Sequence, residues 1–568
     1  MPLQLSPSPT PAQQAFIDKH STRLQAAVDA IHARTHYEAY PENPKAYPAE
    51  GKDAGQARFD QQLNQKFDRL LQDAEEHITS QEVSPYTLEP LGIQYPRFTS
   101  PSRYLKNASD AAKAWKAATP ATRAGVLIES LERFQNDFYE ECFATMHTTG
   151  QGFMMAFQAS GPHAADRALE AVAMGYEEQT RYPNHVSWTK NMGKYEAQIE
   201  KHYLNVPKGI NLNIGCSTFP VWNSLPGLYA GLITGNPVIL KPHPMAIYPV
   251  AIVAQHIQHA LQEAGFNPHI VQVAVDTREA PITKQLAEAD AVKLIDFTGS
   301  STFGDYVESL PGKITFTEKS GVNTVLIDSV QDVKKMAQNI AFSVSLYSGQ
   351  MCTAPQNIFI PKEGVAGPEG HISYEELVAA LTGAIKGLNS HEKAGPAVAG
   401  AIQSEATAER VKSAQALGLK VLLEPFAIPN PEFPKARTSS PLVLEVPADQ
   451  YEQFAQELFG PIVLIIPTDG TKQSLALATK LAELEGAITG LVYTHDDASR
   501  DHIAESLISS GVPTSFNLYG QVYVNQNASF SDLHVSGGNP AGNASFTNPE
   551  FVVKRYTTVE LKLDTPPA

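Results

Sequence analysis

The sequence predicts an α/β protein built from parallel sheets covered by helices, in two successive units. Three observations carry this. Short β-rich runs at 238–240, 270–275 and 292–297 alternate with helical stretches at 247–264 and 278–289. A second alternating region follows from 324 to about 517, and the chain of 568 residues is too long for one ordinary core. Strand-helix alternation argues for a parallel sheet with helices on its faces, an arrangement that favours nucleotide binding at the carboxyl ends of the strands.

Taken in order, residues 1–100 read as a helical extension. Apolar residues recur at helical spacing over 12–34 (Phe16, Leu24, Val28, Ile31) and over 56–78 (Phe59, Leu63, Phe67, Leu70, Leu71), separated by a Pro-rich loop. His32 and His36, and His256 and His259, have helical spacing but no adjacent acidic ligand, so no metal is expected. From 111 to about 174 the pattern is helical, broken at Gly150 and Gly152. The tail from Phe551 alternates like a strand and suits pairing with the run 188–203. The expected division is an extension (1–100), a first domain (101–317), a second domain (318–517) and a return segment (518–568).

Lys plus Arg number 43 against 60 Asp plus Glu, a net charge of -17, which disfavours a nucleic-acid surface. Three cysteines, Cys142, Cys216 and Cys352, make no disulfide framework and fit a reducing, cytoplasmic setting. The N-terminus lacks the basic and apolar runs of a secretory signal, and no apolar stretch is long enough to span a bilayer, so no membrane association is expected.

Chemistry concentrates in a few motifs. Cys352, in LYSGQMCTAP, has the small and polar neighbours that a reactive thiolate needs, although a packed structural cysteine is the alternative. The strand 292–297 runs into Thr298, Gly299, Ser300 and a helix, a phosphate-binding turn or an ordinary βα loop. Lys241 ends the strand VILK within reach of a ribose or phosphate, or else is simply solvated. Glu318 ends the strand ITFTE, where α/β sites collect, and Glu457 and Phe459 in ELFGP put a carboxylate and a ring before another strand.

FTGSS, TEKSG, GQMCTA and ELFGP, in that order and spacing, resemble the aldehyde dehydrogenase superfamily from about Ala111 onward. The resemblance implies a Rossmann-like cofactor domain, an α/β catalytic domain, and a small β element, hairpin 188–203 with the C-terminal strand, for a homodimer or homotetramer. It makes Cys352 the nucleophile and Glu318 the general base. Lys241 and Glu457 become ribose contacts, Gly299 and Ser300 the pyrophosphate turn, and Phe459 a nicotinamide wall. The implied reaction is oxidation of an aldehyde to a carboxylic acid through a cysteine thiohemiacetal and thioester.

Two positions depart from the family pattern. The oxyanion-hole asparagine is replaced by Thr218 when the register to Lys241 is kept without a gap, with Asn223 five residues later. His243 and Pro244 follow Lys241-Pro242 where NAD-selective relatives tend to have an acid, so NADP is admitted and slightly favoured over NAD. Segments such as GCSTFPVWNSLPGLYAGLITGNPVILKPHP resemble the bacterial phenylacetic acid degradation protein PaaN group. That likeness implies a CoA-linked substrate, 3-oxo-5,6-dehydrosuberyl-CoA semialdehyde, and a separate ring-opening hydrolase. Another CoA-linked or aliphatic semialdehyde, or a catalytically silent cofactor-binding protein, are the alternatives.

Overall fold

The structure is a computed structural model that describes residues 7–524 and 528–564. Part of the YVNQNAS stretch, residues 525–527, lies outside the described residues, as do 1–6 and 565–568. Thr10 and Gln13 form a capping box that starts the helix Pro11–Ala33, satisfying otherwise orphan N–H groups. This helix packs on the helices Pro120–Gln135 and Pro162–Thr180. The second expected helix, 56–78, is corrected to Gly51–Gln62. Beyond it Asn64 takes a left-handed φ of 60°, and Phe67 and Leu70 are buried from a loop. Residues Glu76–Thr79 then form a strand antiparallel to Gln94–Arg97. A loop lying on a helical surface buries side chains at intervals that mimic a helix, so periodicity found the burial and missed the geometry.

The extension also touches the second domain. Arg437 N–H donates to the Pro85 carbonyl at 3.0 Å, while the next residue, Tyr86, holds the first domain by donating to the carbonyls of Gly150 and Gln151 at 3.0 and 2.8 Å. Gly150 itself has φ 89°, and a Cβ there would lie 2.2 Å from the Ala401 carbonyl oxygen. Glycine is required at that crossing. The expected helix 278–289 contracts to Thr283–Glu288, because Pro281 has no N–H to give an earlier turn.

The first sheet is fully parallel, in the order Val271–Val273, Val238–Lys241, Ile210–Ile214, Val292–Thr298, Ile314–Glu318. Its Rossmann-like topology has apolar strands buried on both faces, as a helix-covered parallel sheet requires. The second sheet has seven strands, Lys420–Leu423, Leu442–Glu445, Ile462–Thr468, Asn357–Pro361, Thr324–Ile327, Gly490–Tyr493 and Thr514–Phe516. Only the first of these is antiparallel to its neighbour. A separate three-stranded sheet sets Tyr556–Asp564 and His185–Asn191 antiparallel on either side of Glu196–Pro207. Among the described residues no helix is long and apolar enough to cross a membrane.

Arg555 fastens the C-terminal segment to the first sheet. Its guanidinium, fully buried, donates to both carboxylate oxygens of Asp296 at 2.8 and 2.6 Å and to Asn211 at 2.6 Å, and lies 3.9 Å over the Phe316 ring. Removing one partner of a buried ion pair leaves the other charge uncompensated. Arg555→Met is expected to cost about 3–5 kcal/mol in denaturant unfolding. Lys562→Met, which breaks only the surface pair with Glu560, should cost no more than about 1 kcal/mol.

Candidate active site

Strand order reverses between Ile210–Ile214 and Val292–Thr298: one half of the first sheet builds outward from the former strand, and the other half from the latter. Loops leaving the carboxyl ends of those strands therefore diverge and open a crevice. A cleft of about 520 Å³ occupies it, lined by residues 214–219, Asn223, His243, Thr298–Ser300 and Glu318 from one side. Cys352, Gln403, Arg410, Glu457 and Phe459 line it from the other.

Cys352 arrives at the cleft on a strained loop. The helix Val333–Ser345 ends in a short turn in which Tyr347 and Ser348 both have φ 51°, and Gly349 follows at φ 64°. Two left-handed residues other than glycine cost about 1–3 kcal/mol each and persist only where neighbours over-determine them. Here Tyr347 donates to the Thr149 carbonyl at 2.6 Å and Ser348 to the Ala399 carbonyl at 3.0 Å. Gln350 donates to the Ala401 carbonyl at 3.1 Å and accepts from Gln403 N–H at 2.9 Å. Asn323, which sequence reasoning missed, donates to the carbonyls of Cys352 (2.7 Å) and Ala354 (3.0 Å). It also accepts from Ile488 and Thr489 N–H at 2.9 and 3.0 Å, so one amide side chain joins the cysteine loop to the neighbouring strand.

Glu318 ends the edge strand Ile314–Glu318 and is only 4% exposed. Asn223, at the N-cap of the helix Ser224–Ile233, donates to Glu318 Oε2 at 2.8 Å. His534 Nε2 lies 3.1 Å from Oε1, close but not aligned as a hydrogen bond. The ligating atoms of Glu318, Cys352 and His534 all fall within 4.8 Å of one another. Burial pushes the Cys352 thiol well above its ordinary pKa, and the adjacent Glu318 carboxylate pushes it further. Burial works against ionisation of Glu318 too, but His534, the thiol and Asn223 together hold its carboxyl below the usual value. The pair therefore rests as a thiol beside an ionised base.

The other expected residues are distributed as follows. Thr218 lines the cleft, and its carbonyl accepts from Gln151 at 2.8 Å. Asn223, set aside on register, enters the site as a partner of Glu318. Cys216 shares the cleft, with its thiol pushed up to about 11 by burial. Ser300 caps the helix Ser301–Glu308 by position, yet its side chain makes no capping bond, which leaves the hydroxyl and the helix terminus available to a phosphate. A Cβ at Gly299 would meet the Phe297 ring at 2.8 Å. Glu457 is pushed up to about 7 by burial, against hydrogen bonds from Ser320 and Gly321. Arg410 fixes the turn by donating to the Phe459 carbonyl at 2.6 Å. Lys241 does not line the cleft: it is 3% exposed, ion-paired with Asp276 at 2.6 Å and bonded to the Pro242 carbonyl at 2.7 Å. Of the histidine pairs, His32 meets Glu177 at 3.2 Å and His256 meets Asp137 at 2.9 Å. The uncapped helix terminus, the glycine turn and the half-buried Glu457 carboxylate near the Phe459 ring fit a dinucleotide.

Comparison with known proteins gives one answer. Residues 74–560 match the aldehyde dehydrogenase family. A crystal structure of an NAD-dependent aldehyde dehydrogenase from Burkholderia multivorans is 42% identical, with a TM-score of 0.94 over 98% of this chain and 100% of that one. Two more distant structures share the fold. A 1-pyrroline-5-carboxylate dehydrogenase from Thermus with bound NAD is 16% identical, with a TM-score of 0.73 over 94% of this chain and 99% of that one. An NADP-dependent glyceraldehyde-3-phosphate dehydrogenase from Bacillus halodurans, complexed with NADP, is 19% identical, with a TM-score of 0.67 over 86% and 96%.

Because the Glu318 charge helps to keep the Cys352 thiol protonated, Glu318→Gln should lower the thiol pKa. Iodoacetamide alkylation of Cys352 at about pH 8 should then run several-fold faster than in the wild type, as followed by peptide mass spectrometry. An unchanged or slower rate would show that the carboxylate does not govern the thiol.

Proposed function

The chain belongs to the aldehyde dehydrogenase family, and from that premise we propose that it oxidises a CoA-linked semialdehyde to the carboxylic acid with NADP or NAD, through Cys352. The observation that carries the reading is a half-buried thiol, Cys352, side by side with a buried carboxylate, Glu318, on the lining of one cleft. Glu318 takes the thiol proton as Cys352 attacks the aldehyde carbon, giving a thiohemiacetal oxyanion. The Cys352 N–H and the Thr218 hydroxyl are the donors assigned to that oxyanion, a role worth about a hundredfold or more in rate. The bound nicotinamide supplies the hydride acceptor. Glu318, once the first proton has passed to water in the cleft that it lines, removes a proton from the hydrolytic water, which attacks the thioester and releases the acid and the cysteine.

Ser300, with the turn at Gly299, is assigned to the pyrophosphate, Glu457 to ribose hydroxyls, and Phe459 to a wall of the nicotinamide pocket. Lys241 orders the ribose loop through Asp276. The slight preference for NADP is supported by His243, which lines the cleft and is pushed down to about 4 by burial and by the nearby cations Arg278 and Lys241. With His243 held neutral and Pro244 in place of an acid, no carboxylate stands there to repel a 2'-phosphate.

The substrate, 3-oxo-5,6-dehydrosuberyl-CoA semialdehyde of phenylacetate degradation, rests on the likeness of the segments around Cys216 and Cys352 to the PaaN group. A separate hydrolase would open the ring. The three-stranded sheet is read as the oligomerisation element of a dimer or tetramer. Its neighbourhood exposes Tyr182, Met192, Tyr195, Val206 and Val559, an unusual density of apolar surface on a small sheet.

Two outcomes test the reading. Reduced cofactor should form with the CoA-linked semialdehyde, form much more slowly with a simple aliphatic aldehyde, and disappear in Cys352→Ala. Equal rates with both aldehydes would remove the CoA assignment, and no reduction at all would point to a silent binding protein. Cofactor binding should also depend on pH: with the Glu457 pKa raised to about 7, the carboxylate that accepts the ribose hydrogen bonds is lost as pH falls through that value. Affinity measured by fluorescence titration should weaken from about pH 8 to about pH 6, and Glu457→Gln should be weaker at high pH and flat across the range.

A further inference from the structure

A sulfur, a nitrogen and an oxygen donor converge beside the cleft. Cys352 Sγ, a ring nitrogen of His534 and a carboxylate oxygen of Glu318 all fall within 4.8 Å of one another, so three distant chain segments bring metal-ligating atoms around one point. Glu318 Oε2 is taken by Asn223, whose amide donates to it at 2.8 Å. Oε1 is left over, 3.1 Å from His534 Nε2 and without an aligned hydrogen bond of its own. Nε2 is equally unpartnered among the described residues, in a ring only 3% exposed. Buried polar atoms are almost always satisfied, so two orphaned atoms facing each other beside a thiol point to a ligand shared between them.

The spacing suits a tetrahedral ion. Zinc bonds of about 2.3 Å to sulfur, about 2.0 Å to imidazole nitrogen and about 2.1 Å to a carboxylate oxygen set the ligand atoms about 3.3–3.7 Å apart. Nε2 and Oε1 already stand close to that separation. Charge agrees, because a dication with one thiolate and one carboxylate is a neutral assembly, the form that burial tolerates. A thiolate and an imidazole select a borderline-soft ion over Mg²⁺ or Ca²⁺, which take oxygen ligands. The imidazole is held in place by Trp222, edge-on with ring centres 4.5 Å apart, and by Phe546 at 5.3 Å. Arg167, which packs 5.8 Å from the Trp222 ring, has its charge matched by Glu170 at 2.7 Å and so does not oppose a second cation. His534 Nδ1 has no partner among the described residues, whereas the histidine of a resident metal site donates its second N–H. That difference marks an exchangeable ion and not a permanent one.

We propose that Cys352, Glu318 and His534 form an inhibitory site for Zn²⁺ or a similar borderline-soft divalent cation, which blocks nucleophile and base together while it is bound. On binding, the Cys352 S–H bond breaks, and the thiolate sulfur, Glu318 Oε1 and His534 Nε2 each give a lone pair to the metal. The thiol proton, and any proton on Nε2, leaves to water in the cleft that Cys352 and Glu318 line. The ion enters by the same route and keeps a water as its fourth ligand. No electrons are exchanged. The metal's charge now stands beside Glu318 and keeps it ionised, but its free lone pair and that of the sulfur are spent, so attack on an aldehyde stops. The inhibitory consequence rests on the assignment of Cys352 and Glu318 above; the metal site itself does not.

The test titrates Co²⁺, whose absorption reports its ligands, into the full chain and needs neither aldehyde nor cofactor. One equivalent should give the thiolate-to-cobalt absorption of a cysteine ligand with the visible bands of a tetrahedral ion, and Zn²⁺ should abolish both by displacement. Cys352→Ala should remove the thiolate absorption, while Cys216→Ala, at the other cysteine on the cleft, should keep it. His534→Gln and Glu318→Gln, which preserve side-chain size, should each weaken binding by about tenfold or more, since losing even an outer partner of a metal ligand costs that much. Zn²⁺ should shield Cys352 from iodoacetamide, and EDTA should restore alkylation. Cofactor reduction is measured separately: its absence without any metal would count against the proposed reaction and leave the cobalt spectra to decide the site. Wild-type affinity in His534→Gln, a thiolate absorption lost in Cys216→Ala and not in Cys352→Ala, or full-rate alkylation of Cys352 under saturating Zn²⁺ overturns the proposal.

Discussion

The site depends on keeping an ionised carboxylate out of water next to a thiol. An isolated buried carboxylate protonates rather than bear the loss of hydration, so ionisation of Glu318 has to be sustained by what surrounds it. Three separate chain segments supply that: the N-cap residue Asn223 of one helix, His534 from the return segment, and Cys352 from the second domain. None of these is near Glu318 in sequence. The fold, with its edge strand ending on the cleft that Asn223 and Cys352 also line, is what brings them together.

Holding the thiol there also requires strain. Tyr347 and Ser348 take left-handed backbone, and a Cβ on Gly349 would come within 2.5 Å of the Gly460 carbonyl oxygen. The loop tolerates this because its hydrogen bonds run in every direction: to Thr149 in the first domain, to Ala399 and Ala401 beneath, and through Asn323 to the strand beyond. The Gly460 turn leads directly from Phe459, and Glu457 lies just before it, so the thiol loop and these two cleft-lining residues share one rigid support. A shift at either would be felt at the other.

Much of this was legible in the chain. The strand-helix alternation pointed to both sheets, one parallel and one parallel but for its first strand, and the four short motifs located Cys352, Glu318, Gly299, Ser300, Glu457 and Phe459 on one cleft. What escaped did so for physical reasons. The helix expected at 56–78 failed because burial in a wrapped loop imitates helical periodicity. Asn223 was considered only for an oxyanion role fixed by register, whereas the helix N-cap aims its amide at the base. His534, in SDLHVSGG, carries no local pattern at all: its meaning comes from Glu318, more than two hundred residues earlier, and only tertiary contact reveals it. Asn323 is hidden for the same reason, as a polar residue just before the strand Thr324–Ile327 whose four side-chain hydrogen bonds run to the cysteine loop and to Ile488 and Thr489.

Lys241 shows how a motif can be read correctly in position and still change its part. At the end of a central strand it was expected to face a ribose, but its ammonium is turned into the protein and neutralised by Asp276. Burial alone would depress its pKa, and Asp276 offsets that only in part, so the pair is held by mutual need and not by exposure to a ligand. Asp276 in turn accepts from Ile282 N–H at 3.0 Å, which fixes the loop carrying Arg278. The ion pair is therefore an internal brace behind the cleft and not part of its lining. A lysine already matched to a carboxylate has little charge left to offer a phosphate.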